Sequence, residues 1–188
     1  MTVLIAGILL WTAAHLVPGA APGVRQDIVA RIGEKPWKGL FALVVAGSLV
    51  LVVLGWRSTA PQALYLPPDW GRSAAIALML ISVFLFGAAR RPSAIKRIVR
   101  HPQLTGLIVW SVAHLLANGD QRSLILFGGL GVWAILEIIV INRRDGAWTK
   151  PQAPSVTREA IGVAVTVVVF AALLWAHPYF TGVPVIVR

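Results

Sequence analysis

The sequence predicts an all-α, polytopic membrane protein of about six transmembrane helices, and three observations predict it. Apolar residues make up 57% of the 188-residue chain and charged residues only 13%, too little charge to cover a water-soluble fold of this size. Mean hydropathy is +0.79. The apolar residues also fall in long runs separated by short basic segments, and a helix needs about 20 such residues to cross a bilayer core of about 30 Å.

Six runs follow in order. The first covers 2–17 and ends at Pro18-Gly19. The second covers 37–56 and the third 71–89. The fourth, 103–117, stops at Asn118-Gly119-Asp120; the fifth covers 123–141 and the sixth 160–176. Together they make one transmembrane domain over 1–188. No Lys or Arg precedes Arg25, so the first run lacks the basic start of a signal peptide and is expected to be a retained helix, although Ala20-Ala21 mimics a cleavage site.

Charge gives the orientation. Arg25, Arg31, Lys35 and Lys38 follow the first run; Arg90, Arg91, Lys96, Arg97 and Arg100 follow the third; Arg143, Arg144, Lys150 and Arg158 follow the fifth. These thirteen face only four on the other side, Arg57, Arg72, Arg122 and Arg188. An even helix count then puts both termini outside the cytoplasm, periplasmic for a bacterial inner membrane. The net charge of +10 is accounted for by this topology, and no nucleic-acid partner is expected. The segment PSAIKRIVR, Pro92 to Arg100, reads as an interfacial helix on anionic headgroups, and the loop from Arg25 to Lys35 carries a weaker form of the same pattern.

Chemistry has few candidates. With no Cys and only four His and two Met, disulfides, thiolate metal sites and iron–sulfur clusters are excluded. There is no phosphate loop, GxGxxG, HExxH or nucleophile elbow. Two stretches match each other: WTAAHL at Trp11 to Leu16 and WSVAHL at Trp110 to Leu115. Each puts a Trp and a His four residues apart on one helix face. They begin the first and second sets of three helices. Three helices per half would invert the second half, an inverted repeat of three plus three.

Ionisable groups deep in a membrane are functional candidates. His15 lies roughly 20 Å from the outer face and His114 roughly 17 Å from the inner face, at about 1.5 Å per residue. Glu137, the one carboxylate well inside an apolar run, lies roughly 22 Å down. A carboxylate near a ligating His can fix its tautomer, and a Glu hydrogen-bonded to backbone or snorkelling toward Arg143 is the alternative. His101, before Pro102, is a rival ligand or a helix-start residue. His177, before Pro178, lies apart from the others. Asn118-Gly119-Asp120 reads as a turn held by local backbone bonds, with Asp120 able to meet an acidic group only if protonated or through a cation such as Arg122.

The stretch RHPQLTGLIVWSVAHLLANGD, with His101-Pro102, Gly106, Trp110, His114 and Asn118-Gly119-Asp120, resembles the NnrU family of bacterial membrane proteins, which includes the plant and cyanobacterial 15-cis-zeta-carotene isomerase. His15 fits the early His of that family. The resemblance implies an association with denitrification and nitric oxide metabolism. It also implies a b-type haem with His15 and His114 as axial ligands of the iron; by their spacing Trp11 and Trp110, one turn before each His, would then wall the haem plane, and by its depth Glu137 would stand behind a ligand. Partners would be the bilayer, a hydrophobic small molecule or a denitrification enzyme. Two alternatives stand beside this: a haem-dependent cis-trans isomerase of a carotenoid or other polyene, and a haem-free transporter or assembly factor.

Overall fold

The computed structural model describes residues 1–185; Arg188, counted above for orientation, lies outside them. Among the described residues there is no strand, only an isolated bridge between Ala63 and Asp120. Among the described residues seven helices carry the chain: α1 Thr2–Ala20, α2 Pro22–Ile32, α3 Glu34–Ser58, α4 Gly71–Ala89, α5 Pro102–Ala117, α6 Gln121–Asp145 and α7 Val156–Thr181. Five of them, α1, α3, α4, α6 and α7, are long and apolar enough to span a membrane. The sequence predicts six spans; the fourth of those runs, α5, is apolar but has only 16 residues, about 24 Å of helix.

Large apolar side chains point outward, among them Leu9, Leu43, Val168 and Trp175. In water such a surface would be unfavourable, and in lipid it is the expected one. The buried positions are small instead: Ser48, Ser82, Ala88, Ala113 and Ala134. Helices in lipid associate by close backbone approach, which small residues permit.

Two compact units form. The first joins Met1–Leu66 to Asn118–Ala147 and holds α1, α2, α3 and α6. Leu4 is fully buried against Gly55 of α3, and Gly7 faces the backbone of Val52. Ile8 meets Gly129 and Gly19 meets Val140 of α6, so α1 and α6 run in the same direction. Gly33 separates α2 from α3 at φ 87°, a conformation that glycine adopts without penalty, and Arg25 pairs with Glu34 across it at 3.0 Å.

The Asn118-Gly119-Asp120 turn closes this unit. Leu64 N–H donates to Gly119 O at 2.8 Å, Gln121 N–H to Gln62 O at 2.8 Å, and the Tyr65 hydroxyl to Asn118 O at 2.7 Å. Asp120 caps α6, accepting from Ser123 N–H at 3.1 Å and from its hydroxyl at 2.6 Å. Arg122 then ties the turn to α3. Its Nη1 donates to Thr59 O at 3.1 Å and Trp56 O at 3.4 Å, its guanidinium lies 4.4 Å from the Trp56 ring centre, and Asp120 sits 3.6 Å away. Arg122→Ala is expected to cost about 2–3 kcal/mol, because it strips donors from the last carbonyls of α3 together with a cation–π contact. Thermal unfolding in detergent should show a drop of several degrees, only partly restored by Arg122→Lys, and an unchanged midpoint would refute the clamp.

The second unit joins Pro67–Ala117 to Trp148–Arg188 and holds α4, α5 and α7. The α4–α5 hairpin is tight where Gly106 abuts Ser82 O and Leu85, and the Ser82 hydroxyl donates to Gly106 O at 2.8 Å. The expected interfacial helix over PSAIKRIVR is only a four-residue 3₁₀ turn, Ala94–Arg97. Nine residues held at one end are too few to sustain a helix. Glu159 of α7 accepts from the Ser93 hydroxyl at 2.7 Å and from Ala94 N–H at 3.2 Å, and Lys96 Nζ reaches back to Ala89 O at 2.9 Å.

Candidate functional site

Each unit carries one of the two matching Trp–His pairs. In α1, His15 Nδ1 lies 2.9 Å from Trp11 O, and the two ring centres are 4.2 Å apart with their planes tilted by 32°. In α5, His114 Nδ1 lies 2.8 Å from Trp110 O, with the rings 4.7 Å apart. A carbonyl can only accept, so each bond requires the proton on Nδ1. The neutral ring then carries its lone pair on Nε2, the arrangement by which a backbone carbonyl usually orients a metal-ligating His. The four-residue spacing produces this directly, since a side chain at i lies over the carbonyl at i−4.

The match between the two helices extends one turn further than WTAAHL and WSVAHL. Gly7, Trp11 and His15 have the spacing of Gly106, Trp110 and His114. Gly7 sits on α3 and Gly106 on α4, so the same helix face that carries Trp and His begins with a close helix crossing.

The surroundings of His15 are aromatic. Trp133 of α6 lies 5.1 Å from its ring centre and Phe41 of α3 5.4 Å, and Trp11 and Trp133 meet edge to face at 5.3 Å. Trp133 escaped the sequence reading because one Trp in an apolar run carries no pattern. Its direction depends on a wide π turn at Leu124–Gly128, which inserts a residue into α6 and which no sequence period announces. Glu137 lies one turn beyond Trp133. Trp11 Nε1, Trp133 Nε1 and Glu137 Oε2 are all buried without a hydrogen-bond partner, an exception that buried polar groups seldom show unless something polar joins them. An apolar groove of about 240 Å³ opens nearby between Ala13, Val17, Pro18, Trp37 and Phe41.

In the second unit, His177 lies near the C-terminal end of α7. Its Nδ1 lies 2.8 Å from Val183 O and 3.0 Å from the Thr181 hydroxyl. His101 stands before α5, its carbonyl accepting from Thr105 N–H at 2.9 Å. It is thirteen residues, about 20 Å, from His114 along the helix. Among the described residues no three His, Asp or Glu converge as a metal cluster; a haem iron needs only one or two imidazoles.

A family model described as NnrU protein matches residues 3–185. The chain belongs to the NnrU family. No curated protein and no solved structure matches it. Within this NnrU protein, the resemblance first seen over 21 residues of α5 and its flanks therefore extends across both units. The Asn118-Gly119-Asp120 part of that stretch is the cap of α6, and Gly106 is a close-packing position. Trp110 and His114 remain as the pair bonded to one another through the helix backbone.

Proposed function

We propose that this NnrU-family protein lies in the bacterial inner membrane and binds one b-type haem through His15 and His114, in support of denitrification and nitric oxide handling. The observation that carries the reading is the matched Nδ1–H bond to the i−4 carbonyl at both histidines. It leaves Nε2 as the donor in each ring, and two imidazoles suit the donor set of a six-coordinate b-type haem. When bound, the haem supplies one-electron chemistry and ligand binding at iron. The chain's own residues present Nε2, hold each ring against a tryptophan and, around His15, exclude water with Trp133 and Phe41. With α5 as a sixth span, the excess of Lys and Arg after the first, third and fifth spans puts both termini in the periplasm.

A haem-free second reading has its own support. Glu137 Oε2 and two indole N–H groups are buried without partners in the unit that holds His15, as a proton or substrate path would require. A transporter or assembly factor of this kind would lose pH-dependent transport in Glu137→Gln.

The absorption spectrum decides between them. Full-length protein is purified in detergent from cells supplied with haem precursor, and measured oxidised and then dithionite-reduced. Sharp reduced α and β bands of a six-coordinate b-type haem are expected; well-folded protein without a Soret band would sink the haem reading.

A further inference from the structure

A second groove lies far along the chain from either Trp–His pair. It runs between α4 and α7 in the second unit, has a volume of about 570 Å³, and is walled by apolar residues such as Val83, Phe86, Val165, Val169 and Leu173. Gly87 and Gly162 also line it, and the space beside Gly162 is taken by the Arg91 guanidinium. One end is strongly basic: Arg90, Arg91 and Arg158 all line the groove there. Arg158 to Leu173 covers fifteen residues of α7, about 22 Å, so the groove has a charged head end and a long apolar body.

The charges are only partly answered by the protein. Arg91 pairs with Glu159 at 3.4 Å, and its guanidinium rests on the backbone of α7 at Gly162. Its Nη2 remains buried without a partner. The side chains of Arg90 and Arg158 are exposed and, among the described residues, make no hydrogen bond or ion pair. Three arginines against one glutamate leave a net charge of +2 at the mouth. A basic mouth opening onto an apolar cleft between membrane helices is complementary to an anionic headgroup with its acyl chain.

We infer that the α4–α7 groove is a binding site for an anionic phospholipid, its phosphate held by Arg90, Arg91 and Arg158 and an acyl chain lying along Val165, Val169 and Leu173. Arginine suits this position because its planar fork meets phosphate oxygens in pairs. The glutamate keeps one of the three in place and does not cancel the site.

The test uses full-length protein stripped of lipid by detergent exchange. Phosphatidylglycerol or phosphatidylcholine with the same acyl chains is titrated in, and lipid adducts are read by native mass spectrometry. Phosphatidylglycerol should bind about tenfold more tightly than phosphatidylcholine. The double variant Arg90→Gln/Arg158→Gln, both exposed and outside the packed core, should lose that preference. Arg143→Gln/Arg144→Gln, which removes two basic residues from the other unit, should keep it. Val165→Trp should weaken both lipids by filling the apolar wall. Equal binding of the two lipids overturns the assignment. So does a preference that survives the Arg90/Arg158 change or falls equally with the Arg143/Arg144 change, and so does a carotenoid occupying the groove with no phospholipid preference.

Discussion

His15→Ala and His114→Ala are each expected to abolish the six-coordinate haem spectrum, with bound haem falling by at least about tenfold. Neither change should unfold its helix, since alanine is the best helix former and both rings are only half-buried. What is lost is one Nε2 donor and the Nδ1–H bond to Trp11 O or Trp110 O. The two variants should behave alike because their local geometry is alike: bonds of 2.9 and 2.8 Å and a tryptophan ring tilted against each imidazole. His101→Ala should keep the spectrum, because its place at the start of α5 is about 20 Å of helix from His114. The glycine variants His15→Gly and His114→Gly should regain a six-coordinate spectrum with added imidazole. A normal spectrum in either alanine variant would move the ligand to another residue.

Gly55→Leu is expected to leave no monodisperse protein in detergent. A Cβ at residue 55 would fall on the backbone N and Cα of Leu4, and backbone cannot rotate away as a side chain can. Leu4 is itself fully buried, so α1 and α3 would have to separate along the helix pair that presents His15. Overpacking ordinarily costs about 1–3 kcal/mol, and a clash with main chain stands at or beyond the upper end of that range. Gly47→Leu is the matched control. It lies in the same helix with nothing within 4 Å of the added carbon, so it should purify like the parent. Size-exclusion profiles of the two variants make the comparison, and a normal Gly55→Leu profile would show that α1 and α3 pack otherwise.

The helices were legible because hydropathy over 18 or so residues is a strong signal. The start of α4 and the ends of α4 and α5 fell where the apolar runs did. The ends of α3, α6 and α7 went further, since a helix continues past the apolar zone into Arg57, Arg143 or Glu159 wherever charged residues reach polar surroundings. The Trp–His pairs were legible because a four-residue spacing has one geometric meaning in a helix. What surrounds them was not. Trp133 and Phe41 come from distant parts of the chain, and only packing shows that they flank His15. The amphipathic segments misled in both directions. The weaker pattern after Pro22 forms a full helix, α2, started by a proline in its first turn, while the stronger PSAIKRIVR is tied down by Glu159 and stays short.

The π turn in α6 separates length from direction. An α-helix advances about 100° per residue, so losing one residue turns everything beyond it by that angle. The wide turn at Leu124–Gly128 already holds one residue more than the α form needs. A single deletion within those five positions can therefore be absorbed by narrowing the turn, and Trp133 and Glu137 keep facing α1. The same deletion between Gly129 and Trp133 has no such reserve and swings both side chains away. The helix is thus tolerant of a one-residue change in length at one place along its 25 residues, and two chains differing there by a gap would still present the same face to His15.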